Sequence, residues 1–318
     1  MHKKKLVIGT RGSSLALWQT EFVRDRLADL FPDLKTEVKI IKTTGDKLLD
    51  VALSKIGDKG LFTKQLELEL LDGGIDIAVH SLKDLQTEQP EGLAIGAVLE
   101  REIPNDVFIS NRYSAIDELP NGATVATGSL RRRSQLLNYR RDLQIVEIRG
   151  NVPTRLEKFD ALDFDGMILA YAGMHRLGFD DRIAQKIPFE VLLPAVGQGA
   201  MAIEARSDDT SVNEIIKALE HPETRACVTA ERSFLRALEG GCQVPIAGYA
   251  TIDGESVTLQ GMAGSLDGVV NFRRSMTGPV VDASDIGSRL AAALIEEGAS
   301  EVLAASRAGA EQAGGAAI

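Results

Sequence analysis

Strand-like and helix-like segments alternate through the first two thirds of this 318-residue chain, and that alternation limits its fold more than any other feature. Lys5 to Ile8 reads as a buried strand, and the run from Ser14 to Leu30 places Leu15, Trp18, Phe22 and Leu30 near one helical face. Residues 36–42 are strand-like, and Leu61 to Leu71 is helical, stopped by Gly73-Gly74. Ile75, Ile77 and Val79 alternate as the next strand. Further strands are expected at 107–110, 124–127, 144–148 and 166–170, with helical segments between them. Such alternation implies open, doubly wound α/β domains with parallel sheet. The last third changes character. A helix from about Arg225 to Leu238 is followed by strands at 246–252, 256–262 and 269–274, with Asp253-Gly254 as a hairpin turn. A helix from Ile286 to about Glu297 then completes a small α+β domain.

Charge and composition exclude several classes. The chain has 36 Lys and Arg against 46 Asp and Glu, a net charge of -10. That field repels nucleic acid and anionic membranes, so an anionic ligand must be held by a local basic cluster. No apolar run approaches the ~18 residues of a membrane span. Cys227 and Cys242 form neither a disulfide framework nor a metal-ligand spacing, and no metal is expected. The apolar stretch Leu6-Val7-Ile8 is too short for a secretory h-region, so a cytoplasmic protein with reduced thiols is expected.

In open α/β sheets, ligands lie beyond the carboxyl ends of the strands. Here those ends read Thr10-Arg11-Gly12-Ser13-Ser14, His80-Ser81-Leu82-Lys83-Asp84, Gly128-Ser129-Leu130-Arg131-Arg132-Arg133, Arg149-Gly150-Asn151 with Arg155 beyond, and His175-Arg176. Cations near helix N-termini oppose the helix dipole, at a cost of roughly 0.3–1 kcal/mol each. Any one of these junctions reads equally as a solvated face, but five together favour an anion held among N–H groups and guanidinium forks. Arg favours bidentate carboxylate or phosphate, so the inferred ligand carries several such groups. Lys55, Lys59 and Lys64 flank a Gly-containing segment that reads either as a lid over the site or as a solvated loop. Asp84 is the lone carboxylate of its junction, and position leaves two readings open. It is a helix N-cap, or a carboxylate kept ionised to face a developing cation or to transfer a proton. Cys227 reads as a core filler, whereas Cys242, after Gly240-Gly241, is the better candidate for a reactive thiol.

Taken in order, IGTRGSSLALWQ, TTGD, KGLFTKQLE, DIAVHSLKDL, TGSLRRRSQL, IRGNVPTRL, LPAVGQGAMAIE and ERSFLRALEGGCQVPIAG resemble the porphobilinogen deaminase (hydroxymethylbilane synthase) family, from residue 8 to about 248. The resemblance implies two solute-binding-protein-like α/β domains with the active site in the cleft between them, and a smaller C-terminal α+β domain. The expected division is 1–100 plus about 195–220, then 101–194, then 221–305, with 306–318 a disordered Gly/Ala-rich tail. It implies head-to-tail joining of four porphobilinogen molecules, each losing ammonia, into linear hydroxymethylbilane, as in tetrapyrrole (heme) biosynthesis. It also implies a dipyrromethane cofactor joined by thioether to the cysteine of the GGC motif, Cys242 here. By matching motifs, Arg11, Ser13, Lys83, Ser129, Arg131, Arg132, Arg149, Arg155 and Arg176 are expected to hold cofactor and substrate carboxylates. Asp84 is the expected catalytic group, and Lys55 and Lys59 the expected lid contacts. A monomer acting without nucleic acid or membrane is expected. Three positions depart from the usual family pattern: Gln86 for proline, Pro153 for a polar residue, and Tyr171 for a small one. The rival readings are a non-enzymatic solute-binding protein, opposed by the Cys242 loop, and an RNA-binding use of Arg131 to Arg133, opposed by the net charge of -10.

Overall fold

The computed structural model describes residues 4–43, 63–239 and 244–315. In chain order its elements are β1 (Lys5–Thr10), α1 (Ser14–Leu30), β2 (Lys35–Ile40), α2 (Lys64–Leu71), β3 (Ile77–Ser81) and β4 (Leu93–Val98). There follow β5 (Asp106–Ile109), β6 (Thr124–Ala126), α3 (Leu130–Tyr139), β7 (Gln144–Val146), α4 (Val152–Ala161), β8 (Gly166–Ala170), α5 (Tyr171–Arg176) and β9 (Gln185–Lys186). The chain ends through β10 (Met201–Arg206), α6 (Thr210–Lys217), α7 (Pro222–Ala237), β11 (Ile246–Asp253), β12 (Ser256–Gly264), β13 (Asn271–Pro279), α8 (Ala283–Glu296) and α9 (Ala299–Gly315). Described residues up to 102, together with 199–225, form one compact unit; 103–198 and the described residues from 226 onward form a second.

The first unit holds a five-stranded sheet ordered β2-β1-β3-β10-β4. Helices cover both faces, because successive strand residues point opposite ways. Ile77 and Val79 pack with Val23 and Leu27 of α1, while Ala78 packs with Leu66 and Leu70 of α2. The second unit repeats the plan with the order β7-β6-β8-β5-β9. There Val107, Ile109, Met167 and Leu169 meet Leu156 and Phe159 of α4, while Phe108, Val125 and Ile168 meet Leu136 of α3. These are the doubly wound layers expected from the alternation. The expected parallel sheet is present, joined by antiparallel strands. β1, β2 and β3 are parallel, but β10 runs antiparallel between β3 and β4. In the second sheet, β6, β7 and β8 are parallel, and β5 runs antiparallel to β8 and β9. β10 re-enters its sheet only after the chain has built the α/β part of the second unit, so no helical crossover fixes its direction.

The remainder of the second unit is an antiparallel sheet, β11-β12-β13. Its first hairpin closes with Asp253 opposite Ser256, and Gly254 supplies the positive φ of 57° that the turn needs. Phe234 of α7 and Leu290 and Leu294 of α8 fill its core. The two helices approach so closely that a Cβ on Gly287 would lie 2.2 Å from the Ala230 carbonyl oxygen. Cys227 is buried in this same core. Of the tail expected to be disordered, 306–315 continues α9, which ends at Gly315, and 316–318 lie outside the described residues.

Candidate active site at the strand ends

In the first unit, four segments converge on one pocket, one of them bringing Thr63 from the start of α2. The turn after β1 brings Arg11 and Ser13, α1 brings Leu15, Ala16 and Gln19, and the end of β3 brings His80, Ser81 and Asp84. The pocket encloses about 400 Å³, part of it open to solvent. Ser13 caps α1, its hydroxyl accepting from the Ala16 amide at 3.3 Å. Thr10, fully buried, donates its hydroxyl to the Ala16 carbonyl at 3.2 Å and so ties the strand end to the helix start. Gln19, also buried, donates to the Ser81 hydroxyl at 2.9 Å. Asp84 ends a single 3₁₀ turn, Leu82–Asp84, whose first amide donates to the Ala200 carbonyl. The turn is pinned through buried Leu82 and Leu85, which leaves Asp84 exposed at the mouth with Lys83 half-buried beside it. Asp84 makes no N-cap bond to an α-helix, which removes one of its two sequence readings.

In the second unit, the strand ends hold their basic residues in three different ways. Ser129 caps α3, accepting from the Arg132 amide at 3.4 Å. Arg131 and Arg132 are buried, and both grip Asp106 at the start of β5. Arg132 spends its whole fork: Nε and Nη2 donate to Asp106 Oδ1 at 3.0 and 2.7 Å, and Nη1 to the Ile168 carbonyl at 3.0 Å. Arg131 spends Nη1, on Asp106 Oδ2 at 2.7 Å and the Leu193 carbonyl at 2.8 Å. Burial would raise the Asp106 carboxyl, but the charges and hydrogen bonds of Arg131 and Arg132 outweigh it and hold it well below the usual carboxylate range. Arg133, by contrast, is exposed, with Nε donating to the Leu266 carbonyl at 3.3 Å. The bland reading of a solvated arginine run therefore fits Arg133 and fails for its two neighbours.

Arg149 is braced from the surface, Nε donating to Glu147 Oε1 at 2.6 Å. Gly128 makes room for it, since a Cβ there would lie 3.0 Å from the Ile148 carbonyl and 3.4 Å from Arg149 Nε. Arg155 Nε donates to the Gly150 carbonyl at 2.7 Å, and Gly150 sits at φ 122°, a conformation that favours glycine. Arg176 is buried at the end of α5.

Two of the three departures acquire local reasons. Pro153 lies in the first turn of α4, behind the Asn151 cap, where a missing amide costs nothing. Tyr171 is buried, with the Lys186 ammonium 4.3 Å from its ring centroid and the His175 ring stacked at 5.3 Å. Gln86 accepts at its carbonyl from Gln89 Nε2 at 2.9 Å, in a turn that proline would have stiffened. Cys242, Lys55 and Lys59 lie outside the described residues. Among the described residues, no group of three or more His, Cys, Asp or Glu is arranged to hold a metal ion, and no helix is long and apolar enough to cross a membrane.

Sequence reasoning missed Asp106, Gln19 and Glu204. Asp106 and Glu204 carried a signal: each is an acid within an otherwise apolar strand, DVFI and MAIEA, where a buried charge requires a partner.

Comparison with known proteins agrees with this geometry. Residues 6–214 match the family model described as porphobilinogen deaminase, dipyromethane cofactor binding domain, and 225–296 match the porphobilinogen deaminase C-terminal domain. The porphobilinogen deaminase of Pelotomaculum thermopropionicum is 52% identical over 305 residues, covering 96% of this chain and 98% of its own. That of Chlorobium phaeobacteroides is 52% identical over 306 residues, covering 95% and 98%. A methionine-bound nutrient binding protein from Burkholderia cenocepacia overlaps 69% of this chain and 93% of its own, at 16% identity and a TM-score of 0.43, too distant to bear on the assignment. With both family models matched in order and half of all positions shared with full-length relatives, this chain belongs to the porphobilinogen deaminase family.

Proposed function

We propose that the protein joins four porphobilinogen molecules head to tail, each with loss of ammonia, into linear hydroxymethylbilane. The observation that carries this reading is the pocket that sets the exposed Asp84 carboxylate beside Arg11 and the hydroxyls of Ser13 and Ser81. Each pyrrole unit of the substrate carries an acetate and a propionate, so every unit needs cationic and hydroxyl donors around its rim and an anion near its ring nitrogen. The pocket offers both.

The same donor set suits a dipyrromethane, which is two such units. When bound, it supplies a nucleophilic terminal pyrrole carbon and a fixed anchor for the growing chain. We assign its covalent attachment to Cys242, a soft nucleophile after two glycines. We assign its carboxylates and those of substrate to Arg11, Ser13, Lys83, Ser129, Arg131, Arg149, Arg155 and Arg176. Arg132 belongs to the same set by motif, but its fork is spent on Asp106 and Ile168, so its contribution is to hold Arg131 and Asp106 in place. Lys55 and Lys59 are assigned to a lid over the anionic ligand.

Asp84 faces the positive charge that develops on the substrate ring as ammonia departs, and its carboxylate accepts and returns the proton that moves at each step. It can do so because the turn through Leu82 and Leu85 is pinned while the carboxylate stays at the pocket mouth. The net charge of -10 supports a monomer that acts without nucleic acid, and we assign it to the cytoplasm as a member of a biosynthetic enzyme family.

The test is intact mass before and after incubation with porphobilinogen. The purified protein should carry an adduct of two substrate units less two ammonias, located on Cys242. Cys242→Ser should carry no adduct and show no turnover, because its hydroxyl is a harder and far less acidic nucleophile. A fully active Cys242→Ser lacking an adduct would overturn the cofactor assignment.

A further inference from the structure

Arg131 is held by one nitrogen. Nη1 donates to Asp106 Oδ2 at 2.7 Å and to the Leu193 carbonyl at 2.8 Å, and among the described residues nothing accepts from Nε or Nη2. Those two atoms carry the parallel N–H bonds that match a carboxylate, and Arg132 spends the same pair on Asp106 Oδ1. Arg131 as a whole is 5% exposed, yet neither atom is among the buried polar atoms that lack a partner. The fork therefore reaches open space from a side chain that is otherwise buried. Where it points is decided by the two acceptors on Nη1.

The two acceptors are secured differently. Asp106 sits in β5, and Arg132 and Gln198 grip its other oxygen. Leu193 lies outside every strand and helix, so its N–H and carbonyl have no ladder to join. Gln135 takes both. Its Oε1 accepts from the Leu193 N–H at 2.9 Å, and its Nε2 donates to the Leu193 carbonyl at 3.0 Å. Gln135 is buried on α3, four residues after Arg131 and so on the same helical face. The Leu193 side chain is seated against Ala247 of β11 and Met262 of β12, and the Pro194 carbonyl accepts from the Gly248 amide at 3.1 Å. The carbonyl that Arg131 uses is thus fixed from two sides. A two-point grip on one residue's N–H and C=O needs an uncharged group with both a donor and an acceptor, which a carboxamide supplies and an ionised carboxylate does not.

We infer that Gln135 is a positioning residue for the condensation: by clamping Leu193 it aims the Arg131 fork at a carboxylate of the cofactor or the growing chain. This rests on the function proposed above. Gln135 acts through Arg131 and not on the ligand itself. Without the clamp, the Leu193 peptide is free to turn its carbonyl away, and Nη1 keeps Asp106 alone. The guanidinium then swings about that single contact. Its charge stays in place, but the alignment of its two parallel N–H bonds is lost, and alignment is what separates a fork from a point charge.

The experiment is a double-mutant cycle on kcat/KM for porphobilinogen. It compares the holoenzyme, Gln135→Met, Arg131→Lys and the two combined, each checked for adduct by intact mass and for fold by circular dichroism. Methionine is close to glutamine in length and makes neither bond to Leu193. In the wild-type background Gln135→Met should lower kcat/KM about tenfold, the scale of one hydrogen bond to a charged group. In the Arg131→Lys background it should cost less than about twofold, because an ammonium has no fork to aim. Equal losses in both backgrounds would mark a general packing role and overturn the inference, as would a folded Gln135→Met within about twofold of wild type. Should a variant fail to fold or to turn over, hydrogen exchange at the Leu193 amide of the wild-type holoenzyme decides. Protection like that of the β8 amides supports the clamp, and exchange at the rate of an open chain overturns it. Wild-type protein that leaves porphobilinogen unchanged would sink the proposed function instead, and the Leu193 amide would still report on the clamp.

Discussion

Two buried acids in this molecule, one in each compact unit, have opposite fates. Asp106 in the second unit is fully buried, yet Arg131 and Arg132 close on both its oxygens, and Gln198 Nε2 adds a hydrogen bond at 3.0 Å. Its ionised form is the stable one, below the usual carboxylate range. Glu67 in the first unit is buried against Glu204 and His80 with little to compensate it, and burial drives its carboxyl upward. The difference shows that burial does not set the charge of an acid; the geometry of the nearest cations does. Asp106 serves as a rigid peg that fixes where two arginines point. At Glu67, burial is the largest influence and outweighs Thr63, His80 and Lys64, which work against it.

The largest effect that would break this contrast comes from Asp106→Asn. The substitution leaves two buried guanidiniums facing an amide, and breaking a buried ion pair by removing one partner costs about 3–5 kcal/mol. The second unit should melt at markedly lower temperature, read by calorimetry. The sign of the pH effect follows from the direction of the shift. A carboxyl whose folded pKa is depressed contributes stability that is present above its unfolded value, near ~4, and lost as pH falls toward the folded one. Wild-type protein should therefore lose stability on acidification through that range, and Asp106→Asn should lose less there. Equal acid sensitivity would show that Arg131 and Arg132 do not hold Asp106 ionised. Glu67 carries the reverse sign. Its raised carboxyl favours the folded state below the unfolded value, and that contribution fades as pH rises through the folded one, so Glu67→Gln should flatten stability on the alkaline side of that window.

Next in size is Asp84→Asn, which touches activity and not folding. Asp84 is exposed at the end of a turn that its neighbours hold, so the melting temperature should barely move. Loss of a preorganised charge facing the developing cation should lower kcat by ~10²–10³. A kcat within a few-fold of wild type would sink the catalytic role. Together the two Asp→Asn changes separate an acid that builds the structure from one that works in the pocket.

The sequence announced these places unequally. Arg11, Lys83 and Asp84 were legible because strand-end positions in an α/β alternation are where ligands sit, and the pocket gathers Arg11 and Asp84 there. Arg131 and Arg132 drew attention for the same reason, but an arginine fork looks alike in sequence whether it awaits a ligand carboxylate or already grips Asp106, 25 residues away. The antiparallel run of β10 was not legible either. Its residues are buried on both faces, Glu204 among them, so it lacks the polar alternation that would have marked it. Gln19 escaped notice because a buried amide on a helix differs from an exposed one only through its partner, here Ser81.

The smallest effect tests whether pairing matters only when buried. Arg149 is braced by Glu147, whose side chain is largely exposed, unlike the Asp106 peg. Exposed pairs of this kind contribute about 0–1 kcal/mol, so Glu147→Gln should leave the melting temperature nearly unchanged. Arg149→Lys should be equally mild toward folding, since it keeps the charge. Function should separate the two. Lysine cannot make the paired N–H contacts of a guanidinium to a carboxylate, so Arg149→Lys should stall chain growth and leave a ladder of partly extended adducts by intact mass when porphobilinogen is limiting. Glu147→Gln keeps the fork and loses only its brace, and its ladder should resemble wild type with slower steps. Identical ladders for wild type and Arg149→Lys would show that this arginine acts as a point charge. A brace on the surface would then matter as little for catalysis as it does for stability, and the contrast with Asp106 would rest on burial after all.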